Sequence, residues 1–269
     1  RNVVARMKIA LAQFEVNRGA PETNLARIRE LVAQSTAQGG QVVFLPEMCT
    51  TGFDWSRNLE LLNQATEHRA QIAALAVEFN VAICGSLLEH TELGRAANTL
   101  YFFERTGAIL AQYRKIHLFT LFGEEKHVQA GEAVVTADTE LGRIGCSICY
   151  DLRFPELFRK CAHDGAVVQV LAAAFPHPRL THWRTLIQAR AIENQSYFIA
   201  TNQCGIERHG SSIGECDYFG HSMVVDPWGE IVLEASESEG VYLTDIDIAQ
   251  VANARSRLTA FKDRRPELY

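Results

Sequence analysis

Short apolar runs recur along the whole chain, and turn-forming residues separate them. Runs of this kind, rich in Val, Ile, Leu and Phe, are typical of buried strands. The pattern predicts strands at residues 8–16, 41–45, 81–89, 98–103, 109–115, 133–136, 142–149, 166–172, 196–202, 221–225, 230–234 and 241–246.

Other segments show helical spacing. Leu25, Ile28 and Leu31 fall on one helical face, and Gly39 follows the last turn of that segment. Pro155 suits a first helical turn, because its missing N–H has no partner there in any case. The pattern predicts helices at residues 21–38, 155–164 and 181–194 and a largely helical segment at 59–80.

Strands and helices alternate, which is typical of an α/β domain. Two strand pairs are predicted to be antiparallel, because short turns at residues 106–107 and 226–229 join them. No linker, low-complexity segment or repeat of solenoid period divides the chain. We therefore expect one domain over residues 7–269, with two sheets and helices outside them. Residues 1–6 are expected to be a lead-in, and residues 249–269 a polar, basic tail.

Composition excludes several functional classes. Of 269 residues, 47% are hydrophobic and 22% are charged, and the net charge is -6. This balance fits a globular protein and argues against nucleic acid or an anionic membrane as the main partner. No apolar run is long enough to span a bilayer, and no signal peptide is recognised. The seven cysteines are an odd number and lie mostly in apolar runs, so we expect reduced thiols in a cytoplasmic protein.

Three reactive side chains lie at the ends of predicted strands, namely Glu47, Lys115 and Cys149. In α/β sheets, functional sites gather beyond the carboxyl ends of strands, so we expect these side chains to meet. A glutamate whose pKa is raised by burial can take the proton of a thiol. The thiolate can attack a carbonyl carbon, and a lysine ammonium can stabilise the resulting oxyanion. The set is sufficient for amide hydrolysis.

Other interpretations of the same residues stay open at this point. Taken singly, Cys149 fits a core cysteine, Glu47 a solvated loop carboxylate and Lys115 a surface lysine. Cys146 and Cys149 also form a C-x-x-C pair, which is typical of redox or metal sites. However, residues three apart on a strand point to opposite faces, and no second pair follows at zinc-ligand spacing.

The sequence resembles the nitrilase, or carbon–nitrogen hydrolase, superfamily. The resembling stretches are residues 45–47 (LPE), 113–119 (YRKIHLF), 145–156 (GCSICYDLRFPE), 189–195 (ARAIENQ) and the hairpin at 220–229. The resemblance implies a single-domain, four-layer α-β-β-α sandwich. It also implies that Glu47 is the base, Lys115 the oxyanion-stabilising residue and Cys149 the nucleophile, with no metal and no organic cofactor.

Many members of this family have a second active-site glutamate between the lysine and cysteine motifs. Glu124 and Glu125 both lie in that interval. Glu124 is favoured because it lies seven residues before Gly131, which is the spacing that the resemblance implies. Its implied role is to orient Lys115 or the substrate amide.

The residues after the nucleophile bear on the substrate. The backbone N–H of Tyr150 is a further candidate donor to the oxyanion. The Arg153 guanidinium suits a substrate carboxylate, although an ion pair with Glu156 would explain the presence of this arginine equally well. Phe175 and His177 are expected to close a wall of the pocket. The resemblance is to the branch of omega-amidases, which hydrolyse small ω-amides of dicarboxylates such as 2-oxoglutaramate. Aliphatic amidases and N-carbamoyl or ureido hydrolases are the alternatives.

Two non-enzymatic classes remain alongside the thiol amidase. One is a redox protein that uses Cys146 and Cys149, and the other is a silent binding subunit on the same fold. The expected partners are a small amide and a second copy of the chain. The resemblance implies a homodimer, or a higher homo-oligomer, formed through the helix from Pro155 and the tail around Arg264 and Arg265.

Overall fold

The computed structural model describes residues 6–208 and 214–268. Strands lie at β1 (Arg6–Gln13), β2 (Val42–Phe44), β3 (Ala82–His90), β4 (Ala96–Phe103), β5 (Ile109–Arg114), β6 (Thr136–Thr139), β7 (Gly142–Ile148), β8 (Val168–Ala173), β9 (Tyr197–Asn202), β10 (Cys204–Arg208), β11 (Glu215–Phe219), β12 (Met223–Val225), β13 (Ile231–Glu234) and β14 (Gly240–Asp247). Helices lie at α1 (Pro21–Ala37), α2 (Trp55–Leu61), α3 (Ala65–Glu78), α4 (Pro155–His163), α5 (Leu180–Asn194) and α6 (Ala249–Arg257). None of the helices in these ranges is long and apolar enough to cross a bilayer.

Two six-stranded mixed sheets form the body. The first has the order β14-β1-β2-β3-β4-β5, and only the pairs β1–β2 and β2–β3 are parallel. The second has the order β13-β12-β9-β8-β7-β6, and β7, β8 and β9 are parallel. The parallel strands therefore lie at the centre of each sheet, where both faces are covered and continuous apolar runs are stable.

The sheets pack face to face around one hydrophobic core. Phe44, Phe102 and Tyr113 belong to it from the first sheet, and Cys146 and Tyr197 from the second. A separate cluster joins the other face of the first sheet to α1 and α3. The second sheet is covered by α4 and α5. The layers follow the order helix, sheet, sheet, helix, which confirms the predicted four-layer sandwich.

Some predicted elements differ from the structure. The segment 59–80 is largely helical, as predicted, but a 3₁₀ turn at Leu62–Gln64 separates α2 from α3. The strand predicted at 133–136 begins later, as β6. The β10–β11 hairpin and α6 were not predicted. The apolar side chains that α6 buries are Val251 and Ala254, a stripe too narrow to stand out in a polar tail.

Candidate active site

The ends of three strands from both sheets meet at one place. Glu47 follows β2, Lys115 follows β5 and Cys149 follows β7. The backbone N–H of Glu47 donates to the carbonyl of Ala173, the last residue of β8, at 3.2 Å. This bond ties the end of the first sheet's central strand to the second sheet. The predicted trio is therefore assembled between the two sheets.

An ionic cluster forms the centre of the site. Lys115 Nζ donates to Glu47 Oε1 at 2.9 Å and to Glu124 Oε2 at 2.9 Å. None of the three side chains is more than 3% exposed, whereas Glu125 is exposed. The structure thus places Glu124, and not Glu125, beside Lys115. One ammonium between two carboxylates leaves the cluster with a formal charge of minus one.

Asn98 holds both carboxylates and was missed by the sequence analysis. Its Nδ2 lies 2.8 Å from Glu47 Oε1 and 3.2 Å from Glu124 Oε1. Backbone donors complete the cluster, since Ala174 N lies 3.1 Å from Glu47 Oε2 and Phe119 N lies 2.7 Å from Glu124 Oε2. An asparagine in a largely apolar strand was the available signal, because a buried amide needs polar partners.

Burial and neighbouring charges set the protonation of this cluster. Burial raises the pKa of Glu47, the charge of Lys115 lowers it, and the charge of Glu124 raises it, so that the net shift is upward. Burial by itself lowers the pKa of Lys115, but the charges of Glu124 and Glu47 hold that pKa well above its usual value. Lys115 is therefore a permanent cation at neutral pH, and Glu47 has the raised pKa that suits a general base.

Cys149 occupies a strained corner between β7 and a 3₁₀ turn at Cys149–Arg153. Its φ of 44° lies in the left-handed region, which is costly for a residue with a Cβ and is found most often at functional sites. Its Sγ donates to the carbonyl oxygen of Ala174 at 3.7 Å, and the backbone N–H of Ala174 donates to Glu47 Oε2 at 3.1 Å. Burial and the charge of Glu47 raise the pKa of this thiol, against the lowering effect of Lys115. The resting group is therefore a neutral thiol beside a carboxylate.

Cys146 differs from Cys149 in its surroundings. It is fully buried in the core between the sheets, and burial raises the pKa of its thiol well above the usual value. Cys149 keeps partial access to solvent, and both cysteines are free thiols. The structure thus places only the second cysteine of the C-x-x-C pair at the site.

Asp151 stabilises the corner that carries Cys149. Its Oδ2 accepts hydrogen bonds from Ile148 N at 2.8 Å and from the Tyr113 hydroxyl at 2.7 Å. Its Oδ1 accepts one from His117 N at 3.2 Å and lies 2.7 Å from His117 Nδ1. No role was predicted for Asp151 and His117 from the sequence, because their contact joins motifs that are 34 residues apart in the chain.

A small pocket opens at Cys149, with a cavity volume of about 30 Å³. This is well below the usual range for ligand pockets, so the site suits only a small substrate. It is lined by Phe119, Cys149, Tyr150, Arg153, Ala174, Phe175, Pro176 and Arg179.

The pocket brings together three of the four residues that were predicted to bind substrate, namely Tyr150, Arg153 and Phe175. The structure places His177 elsewhere. Its backbone N–H pairs with β11, its ring packs against Phe219, and its Nε2 lies 3.7 Å from Glu237. The chain turns away after Pro176, so His177 does not close the wall as expected.

The ion pair between Arg153 and Glu156, which was the alternative to a substrate-binding role, is not observed in the described part of the chain. The Arg153 guanidinium instead lies over the Phe175 ring, 5.4 Å from its centroid, and 3.4–3.5 Å from His182 Nδ1. Its position therefore leaves Arg153 available to a ligand in the pocket.

Known amidases are similar to this chain over nearly its whole length. A 2-oxoglutaramate amidase from Bacillus subtilis is 34% identical over 97% of this chain and 98% of its own length. A human omega-amidase is 31% identical over 97% of this chain and 96% of its own. Among solved structures, an amidase variant from Nesterenkonia is 26% identical with a TM-score of 0.85, and covers 97% of this chain and 95% of its own.

The Nesterenkonia structure shows the acetamide moiety of fluoroacetamide added covalently at that enzyme's active-site cysteine. The profile of the family described as carbon-nitrogen hydrolase matches residues 8–256 of the present sequence. Both the whole-length similarity and the profile confirm the resemblance found in the motifs. The chain belongs to the carbon–nitrogen hydrolase family.

Proposed function

We propose that this protein is a thiol amidase that hydrolyses small ω-amides of dicarboxylates, such as 2-oxoglutaramate, to the acid and ammonia. The observation that carries the proposal is the position of Cys149, which lines a pocket together with Arg153. Its Sγ and Glu47 Oε2 both hydrogen-bond to the backbone of Ala174, and Glu47 belongs to the buried cluster with Lys115 and Glu124. The 2-oxoglutaramate amidase and omega-amidase among the relatives support the choice of substrate.

The first half of the reaction forms a thioester. Glu47 takes the proton of the Cys149 thiol as sulfur attacks the amide carbon. The negative charge that develops on the carbonyl oxygen is stabilised by the Lys115 ammonium and by the backbone N–H of Tyr150. When the C–N bond breaks, Glu47 returns its proton to the departing nitrogen, and ammonia leaves.

The second half releases the acid. Glu47, again a carboxylate, removes a proton from a water molecule that attacks the thioester carbon. The same donors stabilise the second oxyanion, and the Cys149 sulfur leaves as a thiolate that recovers the proton from Glu47. Glu124 and Asn98 keep Lys115 and Glu47 in place during both halves. Protons and charge balance over the cycle without a redox step.

Ammonia release from a panel of small amides tests this function. We expect turnover of ω-amides that carry a distal carboxylate to exceed turnover of neutral amides of equal length, because Arg153 lines the pocket. Product analysis should show the corresponding dicarboxylate. A preference for neutral amides would instead indicate an aliphatic amidase. Turnover of an amide without release of ammonia would contradict the proposal, and so would a lack of turnover of every amide in the panel.

The pH dependence of kcat/KM provides a test of the base. Glu47 must be ionised to act, so activity should fall as the pH drops through its raised pKa, above the usual range of a glutamate. Because the charge of Glu124 raises that pKa, Glu124→Gln should move the acid limb to lower pH while it reduces the maximum rate. The exposed neighbour provides the control, and Glu125→Gln should leave the profile unchanged. An unmoved acid limb in Glu124→Gln would show that another group controls it.

A further inference from the structure

Two arginines line the pocket at Cys149. Arg153 belongs to the turn that follows the nucleophile, and Arg179 directly precedes α5. The rest of the lining is aromatic, apolar or the nucleophile itself, from residues such as Phe119, Tyr150 and Phe175. The pocket therefore combines a narrow apolar wall with two guanidinium groups.

Neither guanidinium has a carboxylate partner within residues 6–208 and 214–268. Other partly buried arginines do have one, since Arg114 pairs with Glu89 and Arg184 pairs with Glu234. Arg255 instead donates to backbone carbonyl oxygens. Arginines at a pocket that lack such a partner can offer their guanidinium donors to an anionic ligand.

The surroundings of Arg179 place its charge on the reactive side of the pocket. Burial raises the pKa of Cys216 to about 11, and the nearby charge of Arg179 acts in the opposite direction. Cys216 packs against Ala174, whose carbonyl oxygen contacts the Cys149 thiol. Arg153 is held over Phe175, the next residue along that wall. The two cations thus approach the wall formed by residues 174–176.

Under the proposed amidase function, on which the following inference rests, the two guanidinium groups affect which substrates bind. We infer that Arg179 is a second specificity-determining residue, which binds the distal carboxylate of the substrate together with Arg153. One guanidinium fork satisfies two oxygen lone pairs of a carboxylate. The remaining lone pairs of the same carboxylate can accept hydrogen bonds from a second guanidinium. When the substrate is a 2-oxo acid, the adjacent carbonyl oxygen can accept them as well.

A matched pair of substrates tests the role of Arg179. Glutaramate and pentanamide have the same reacting amide and chain length, and they differ in whether the chain ends in a carboxylate or a methyl group. In Arg179→Gln we expect kcat/KM for glutaramate to fall about 10- to 100-fold, mainly through KM, and to fall much less for pentanamide. Arg179→Lys should recover part of the loss, because it keeps the charge but not the planar fork.

Arg29→Gln is the control, since Arg29 is a surface residue of α1 that pairs with Glu78. It should leave both substrates unaffected. Equal losses of both substrates in Arg179→Gln would make Arg179 structural, and no loss of either would remove it from the site. Both results would overturn the inference.

A binding measurement separates this inference from the proposed reaction. In a Cys149→Ala background, which cannot turn over, glutarate should raise the Tm in a saturable manner. Adding Arg179→Gln should weaken the apparent Kd for glutarate about tenfold or more. If the parent protein releases no ammonia from any amide while glutarate binding is intact and depends on Arg179, the proposed function is contradicted but the carboxylate site is not. If glutarate binds equally well with and without Arg179→Gln, the inferred role of Arg179 is contradicted and the proposed amidase function is not.

Discussion

Replacing Cys149 with alanine is expected to lower ammonia release by about 10⁵-fold or more, as deletion of a nucleophile does in other hydrolases that form acyl-enzymes. No other thiol is positioned to replace it, because the remaining six cysteines are all buried. The loss should appear in kcat, since the substrate can still enter the pocket. An ammonia assay on the best amide, with the folded state verified by thermal melting, measures it.

Cys146→Ala is the matched control for this experiment. Cys146 lies in the core three residues before the nucleophile, and its replacement removes one buried sulfur without touching the pocket. We expect a modest loss of stability, on the order of 1 kcal/mol, and activity close to that of the parent protein. Equal loss of activity in both variants would favour a redox role for the C-x-x-C pair instead.

Mass spectrometry extends the test to the intermediate. Fluoroacetamide should add to Cys149 of the active protein, and the adduct should be absent from Cys149→Ala but present in Cys146→Ala. Because the resting thiol is neutral, labelling should depend on Glu47 as well, and Glu47→Gln should slow it strongly. An adduct that persists in Cys149→Ala would place the nucleophile elsewhere.

The sequence is sufficient to place Glu47, Lys115 and Cys149 together, because each one follows an apolar run whose end can be recognised. The carboxyl ends of parallel strands gather at one edge of a sheet, which brings Glu47 and Lys115 together whatever the register. Cys149 follows a strand of the second sheet, and the family motifs associate it with the other two. The four-layer fold could be predicted from alternating helices and strands together with the family motifs. Glu124 follows from the spacing of those motifs, although the residue lies in a loop with no periodic pattern.

Asn98 shows what the sequence cannot provide. It lies inside β4, opposite Leu88 of β3, and its side chain reaches the cluster only because of this pairing register. Register depends on contacts across the whole sheet, so a single strand does not reveal which polar residue faces a site. The residues that line the pocket wall cannot be predicted from the sequence for a similar reason. His177 and Arg179 are two residues apart, and only the path of the loop after Pro176 decides that Arg179 lines the pocket.

Replacing Lys115 with methionine is expected to damage both catalysis and stability. The loss of one oxyanion donor costs about 10²- to 10³-fold in kcat, and a disordered Glu47 should add to it. Removing one partner of a buried ion pair typically costs about 3–5 kcal/mol, and here two buried carboxylates lose their common cation. Ammonia assays and urea unfolding at neutral pH measure the two effects.

The stability loss in Lys115→Met should depend on pH with a definite sign. Lys115 lowers the pKa of Glu47, so its removal raises that pKa further above the value in the unfolded chain. Between the pKa of Glu47 in the folded parent and its higher pKa in the folded variant, only the variant's folded state binds the extra proton. The variant therefore gains stability relative to the parent as the pH falls through this interval. Lys160→Met, at an exposed lysine paired with Asp164, should cost less than about 0.5 kcal/mol with no such trend. If acidification widens the gap between Lys115→Met and the parent, Lys115 does not neutralise the buried carboxylates in the way that its two 2.9 Å contacts indicate.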